Sequence, residues 1–168
     1  MTRQLARGVI AVIALAGGFG TWSTWISAQG APEHVMLRPQ DIKWQPAPPV
    51  LPPGAEIAVL DGDPGKAGQS FVIRLKFPDR YRIAPHWHPT DENIAVIQGT
   101  FRLGMGDAAA ETAMHTLPAG SFAKMPREVR HFATTTGETI VQIHGAGPFV
   151  INYVNPSDDP SKKTSTSK

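Results

Sequence analysis

Between residues 71 and 77 the chain alternates: Phe71, Ile73, Leu75 and Phe77 are apolar, while Val72, Arg74 and Lys76 stand between them. On a strand this puts one apolar set on one face and a mostly polar set on the other. Comparable short runs at 56–60, 82–88, 92–98, 101–105, 112–117, 121–125, 130–135, 139–144 and 149–154 predict further strands. Turn formers fall between many of them, at Asp61-Gly62-Asp63-Pro64-Gly65, Pro89-Thr90-Asp91, Gly99, Gly106-Asp107, Pro118-Ala119-Gly120, Pro126 and Gly137. About ten short strands at this spacing predict an all-β chain closed into a sandwich or barrel.

The flanks follow other patterns. Residues 1–30 begin with Arg3 and Arg7, continue through an apolar run from Val9 to Ala16, and end in small and polar residues around Ala28 and Gly30. That order predicts a signal peptide cut after Ala28 or Gly30, and hence a periplasmic or secreted protein. The competing reading, an uncleaved N-terminal anchor, has a short apolar stretch broken by Gly17, Gly18 and Gly20, against the roughly 20 residues a spanning helix needs. Residues 31–55 are Pro-rich, with Pro46, Pro48, Pro49, Pro52 and Pro53 close together. Proline cannot donate to a ladder, so this segment is expected as an extended arm along the outside of a barrel formed by residues 56–155. Residues 156–168 offer nothing large to bury and are expected as a disordered tail.

Composition narrows the partners. Of 16 basic residues, two lie in the signal; the remaining 14 match the 14 acidic residues, so the mature chain is formally neutral. It has no basic stripe with interleaved aromatics, which argues against nucleic acid. There are no cysteines, so neither a disulfide nor a lipidated Cys contributes. Any metal site must rest on imidazole and carboxylate.

Such a set is present. His86 and His88 are two apart and project from one face of a strand; Pro89-Thr90-Asp91 turns the chain so that Glu92 can face the same space. His131, just beyond Pro126, can be brought opposite by barrel closure. Three imidazoles and one carboxylate suit a borderline divalent ion. These residues resemble the two motifs of the cupin superfamily. The first, G-x5-H-x-H-x3/4-E-x6-G, is met at His86, His88, Glu92 and Gly99; the second, G-x5-P-x-G-x2-H-x3-N, at Gly120, Pro126 and His131. Three positions depart: Arg80 and Glu128 replace motif glycines, and Thr135 replaces the closing Asn. On the chain's own residue frequencies, the first spacing has chance odds of about one in a thousand. The resemblance spans roughly residues 70–150. It implies a cupin-type β-barrel or jelly roll with a single divalent transition metal (Mn, Fe, Co, Ni, Cu or Zn) held inside by His86, His88, Glu92 and His131; many cupins are dimers or larger.

The remaining candidates read more simply. His34 and His115 are expected to be structural or solvated, and Gln142 and His144 to share a solvent-facing strand side opposite Val141 and Ile143. Gln98 either lies inside with Glu92, Ile94 and Val96 or ends the strand beside Gly99. Arg130 and Glu128 are expected at the rim, Trp87 pointing away from the metal, and Met105, Met114 and Met125 as core filler, with Met105 or Met125 able to line a pocket. A divalent ion with these ligands has a net formal charge of about +1 and favours an anionic oxygen ligand. Two functions use that site: a metal-dependent enzyme of dioxygenase or isomerase type, in line with the resemblance, or a non-catalytic metal or small-ligand binder. No general base beyond the ligands stands out in the sequence.

Overall fold

The computed structural model describes residues 34–163. The expected signal, the first residues of the arm and the last five residues lie outside the described residues. Among those described, one antiparallel sheet of nine strands curls into a barrel: β1 (Gln45–Pro46), β2 (Glu56–Gly62), β3 (Ser70–Phe77), β4 (Arg82–Trp87), β5 (Glu92–Met105), β6 (His115–Pro118), β7 (Phe122–Met125), β8 (His131–Ala146) and β9 (Asn152–Tyr153).

The alternation in β3 sets the inside of the barrel, since Phe71, Ile73, Leu75 and Phe77 are all buried. They meet Ile94 and Val96 of β5 and Val141 and Ile143 of β8 in one core. Phe77 stacks between Tyr81 and Phe101, with ring centroids 4.9 and 6.3 Å away. Each such side chain contributes about 1.5–3 kcal/mol by leaving water.

Two long strands organise the barrel. Residues 92–98 and 101–105, expected as separate strands, form one strand of 14 residues; 130–135 and 139–144 merge likewise into one of 16. The glycines expected to end strands bend them instead. Gly99 and Gly137 take φ of 75° and 72°, and the β5–β8 register shifts on both sides of Gln98. A residue in the left-handed region turns the strand while pairing resumes beyond it, as in a bulge. β8 thus pairs with β5 along both halves, and its other edge is shared by β3 and β4. This pairing sets His131 beside His86 in register.

The Pro-rich arm runs along the outside of the barrel for most of its described length, as expected, and departs from that place only at its end. β1 does add to the outer edge of β2, but the chain then folds inward, and Leu51 and Ala55 join the core at 6% and 5% exposure. Backbone carbonyls make this possible, because a proline segment keeps its acceptors even without donors. Tyr81 Oη donates to Pro52 O, and Tyr153 Oη donates to Val50 O at 2.7 Å, so two phenols hold the arm around Leu51. The tail also differs from expectation. Residues 156–158 and 160–162 form short 3-10 turns whose first N–H groups are capped by Asn155 and Asp159 side chains. These caps supply local order that apolar burial does not.

Candidate metal centre

β4 carries His86, with His88 just past its end; Glu92 opens β5 and His131 opens β8. All four are buried, at 4%, 3%, 4% and 2% exposure. Each of the three imidazoles offers a nitrogen within 4.8 Å of those of the other two, and Glu92 Oε2 lies 3.4 Å from His88 Nε2 and 3.2 Å from His131 Nε2. The structure therefore brings the four sequence-predicted residues together at one point.

The hydrogen bonds behind the rings decide which nitrogen faces inward. His86 Nδ1 donates to Ala84 O at 2.8 Å, His88 Nδ1 to Val150 O at 2.8 Å, and His131 Nδ1 to Val129 O at 3.0 Å. A carbonyl only accepts, so each Nδ1 carries the proton, and a neutral ring then presents a lone pair at Nε2. Bonding one ring nitrogen to a carbonyl is also how metal-ligating histidines are oriented. His88 Nε2, His131 Nε2 and Glu92 Oε2 are buried without a hydrogen-bond partner. Such orphaned atoms are costly unless something binds them, and a divalent cation satisfies all of them at once.

The electrostatics point the same way. Burial pushes the His86 imidazolium down to about 3, with His131 and His88 adding to the effect, so this ring is neutral at ordinary pH. Burial alone would raise the Glu92 carboxyl, but hydrogen bonding and charge from His131 and His88, available when a proton sits at their Nε2 atoms, outweigh it and hold the group below the usual carboxylate range, a role a cation at the same atoms would take over. The result is an anionic oxygen among lone-pair nitrogens, which fits a divalent transition metal.

The departures from the motifs preserve the backbone they would be expected to disturb. Arg80 and Glu128 have φ of 56° and 65°, the left-handed region in which glycine is at ease, and both side chains reach solvent. Glu128 N–H donates to His88 O at 2.8 Å, and Arg127 N–H donates to Asp91 Oδ1 at 2.9 Å. The loop before His131 is thereby tied to the loop before Glu92. Lys124 pairs with Asp91 across the same junction at 2.7 Å, and it, followed by the Arg127 N–H, holds the Asp91 carboxyl below its ordinary range. Thr135, in place of Asn, accepts from Tyr81 N–H at 2.9 Å and donates to Pro78 O at 2.7 Å. It closes the turn that leads into β4.

The other candidates fall outside the centre. His34, His115 and His144 are exposed. Gln142 accepts from Arg74 Nε on the outer face, and Gln98 is exposed and donates to Glu138. Arg130 is exposed and pairs with Asp107. Met125 is buried in the core, whereas Met105, expected as core filler or pocket lining, is 44% exposed at the end of β5. Two neighbours of the centre escaped sequence reasoning. Phe149 stacks on the His88 ring, centroids 4.6 Å apart and planes 15° from parallel, and Leu51 lines the same cavity. The cavity beside the four residues is about 20 Å³, room for about one water, and its other walls are apolar.

This chain belongs to the cupins: its sequence matches the ChrR cupin-like domain over residues 32–150. Solved structures share the fold. The polyketide cyclase RemF from Streptomyces resistomycificus is similar with a TM-score of 0.61 at 19% identity, covering 79% of this chain and 93% of that one. A putative acetylacetone dioxygenase from Methylibium petroleiphilum gives 0.58 at 13%, covering 83% and 99%. An acetylacetone dioxygenase from Acinetobacter johnsonii gives 0.57 at 17%, covering 77% and 82%. No curated protein matches the chain. The His86, His88 and His131 cluster fits a metal-binding cupin.

Proposed function

We propose that His86, His88, Glu92 and His131 bind one divalent transition metal, and that the protein is a metal-dependent enzyme of dioxygenase or isomerase type acting on a small oxygen-rich or anionic substrate outside the cytoplasm. The observation that carries the metal is the orientation of the rings: three Nδ1–H groups bound to backbone carbonyls leave three Nε2 lone pairs beside a buried carboxylate. The metal would polarise substrate oxygens or, if redox-active, engage dioxygen. The protein's own part is to hold the ligands neutral or anionic and to keep water out with an apolar wall. Two structural neighbours, an acetylacetone dioxygenase and a polyketide cyclase, support oxygen-bearing small molecules as the substrate class.

A second reading, a non-catalytic metal or small-ligand binder, draws on one observation. Among the described residues lining the cavity, no acid or base is present besides the four ligands. The two are separated by loading the purified chain with each candidate metal and following oxygen consumption and product formation across diketones, enediols and catechols. Turnover with at least one metal supports the enzyme, and none with any metal supports the binder.

A further inference from the structure

The cavity at the centre is too small for a substrate, yet a second pocket lies against it. This outer pocket measures about 240 Å³. Leu51, Leu75, Phe149 and Ile151 line both spaces, so they form the wall between them. Three of the four lie outside regular strand and helix: Leu51 sits in the Pro-rich arm, and Phe149 and Ile151 in residues 147–151 between β8 and β9. These segments lie outside the regular ladder, but hydrogen bonds to Tyr81, Tyr153, Pro64 and His88 hold their backbones, so it is the side chains of Leu51 and Phe149 that turn aside. Phe149 touches a metal ligand directly through its stack on His88.

The chemistry of the outer pocket is one-sided. Its far side is made by Pro48, Val50, Ile57 and Pro64, and none of its lining side chains carries a charge or a hydrogen-bonding group. It therefore selects for apolar surface and offers nothing to a polar group. The metal cluster on the other side of the wall selects for an anionic oxygen. We infer that the outer pocket receives the apolar tail of a ligand whose oxygen head binds at the His86, His88, Glu92 and His131 cluster, with Leu51 and Phe149 parting to let the tail through. The ligand class is then an amphipathic oxygen acid: a carboxylate, enolate or similar head on an alkyl or aryl tail. This rests on the metal reading of the cluster and adds the tail to it.

The test is calorimetric titration of the zinc-loaded chain with acetate, butanoate and hexanoate, with metal content measured in parallel. Each methylene that enters the pocket tightens binding about fourfold, so hexanoate exceeds acetate by a factor on the order of a hundred. Val50→Trp, which fills the pocket from its half-buried rim, is expected to reduce hexanoate to the affinity of acetate while leaving metal content and acetate binding unchanged. Pro48→Trp, from the exposed rim, is a second variant with the same expected result should Val50→Trp fold poorly. A metal-loaded protein whose affinity does not rise with chain length overturns the pocket and leaves the metal reading standing. A chain that takes up no metal overturns that reading, and the oxygen anchor of the proposed ligand with it.

Discussion

Replacing Thr135 by valine keeps the shape of the side chain and removes its hydroxyl. In the structure that hydroxyl accepts from Tyr81 N–H and donates to Pro78 O, bridging the turn that delivers β4 and the paired histidines. The Tyr81 N–H is buried and would lose its partner outright, at about 1–3 kcal/mol. Pro78 O is partly reachable by water and adds less, and the new buried methyl returns about 0.8 kcal/mol. The net loss is about 2 kcal/mol, equivalent to a fall in Tm of about 6 °C for a chain of this size. Urea denaturation of the chelated protein measures it directly, with Thr135→Ser as the control that keeps the hydroxyl. A valine variant as stable as the serine one would refute the bridge.

Gly104→Ala brings a Cβ to 2.1 Å from the Phe132 ring, next to His131, so it is expected to cost about 1–3 kcal/mol. In a denaturation cycle with Phe132→Leu the two losses should not add, and strict additivity would contradict the overlap. Glu128→Gly suits the positive φ and should leave stability within about 1 kcal/mol of the parent, whereas Glu128→Val should lose about 1–2 kcal/mol and loosen the N–H bond to His88 O. Equal stability of the two variants would count against strain at this position. Acid should weaken the metal-free fold through His86. The unfolded ring takes up a proton below about 6.5 while the folded one waits until about 3, so stability present above 6.5 falls as pH drops between these values, by up to about 1.4 kcal/mol per unit. A flat stability profile from pH 7 to 4 under chelation would contradict a neutral buried His86.

The convergence of the four residues was legible because strand geometry converts spacing into direction: His86 and His88 share a face by parity, and the turn at 89–91 returns Glu92 to it. The alternation of β3 was legible for the same reason. What sets the rings' orientation was not, because Ala84, Val129 and Val150 act through backbone carbonyls that every residue possesses. Arg80 and Glu128 replace motif glycines without loss of the turn, because a non-glycine residue can occupy the left-handed region at a modest cost when its side chain reaches solvent. Proline content correctly marks the arm as poor in ladder hydrogen bonds but says nothing of where Leu51 goes. Leu51 enters the barrel because two distant tyrosines hold the backbone on either side of it. Gly99 and Gly137 carry the same ambiguity, since a glycine bends a strand as readily as it ends one.

The central claim is that four buried side chains form one metal site, and elemental analysis of the purified chain beside a His86→Ala, His131→Ala variant tests it most directly. The account predicts close to one equivalent of a divalent transition metal in the parent chain and almost none in the double variant, with circular dichroism showing the β-barrel retained. Near-stoichiometric metal persisting in the folded variant would contradict it.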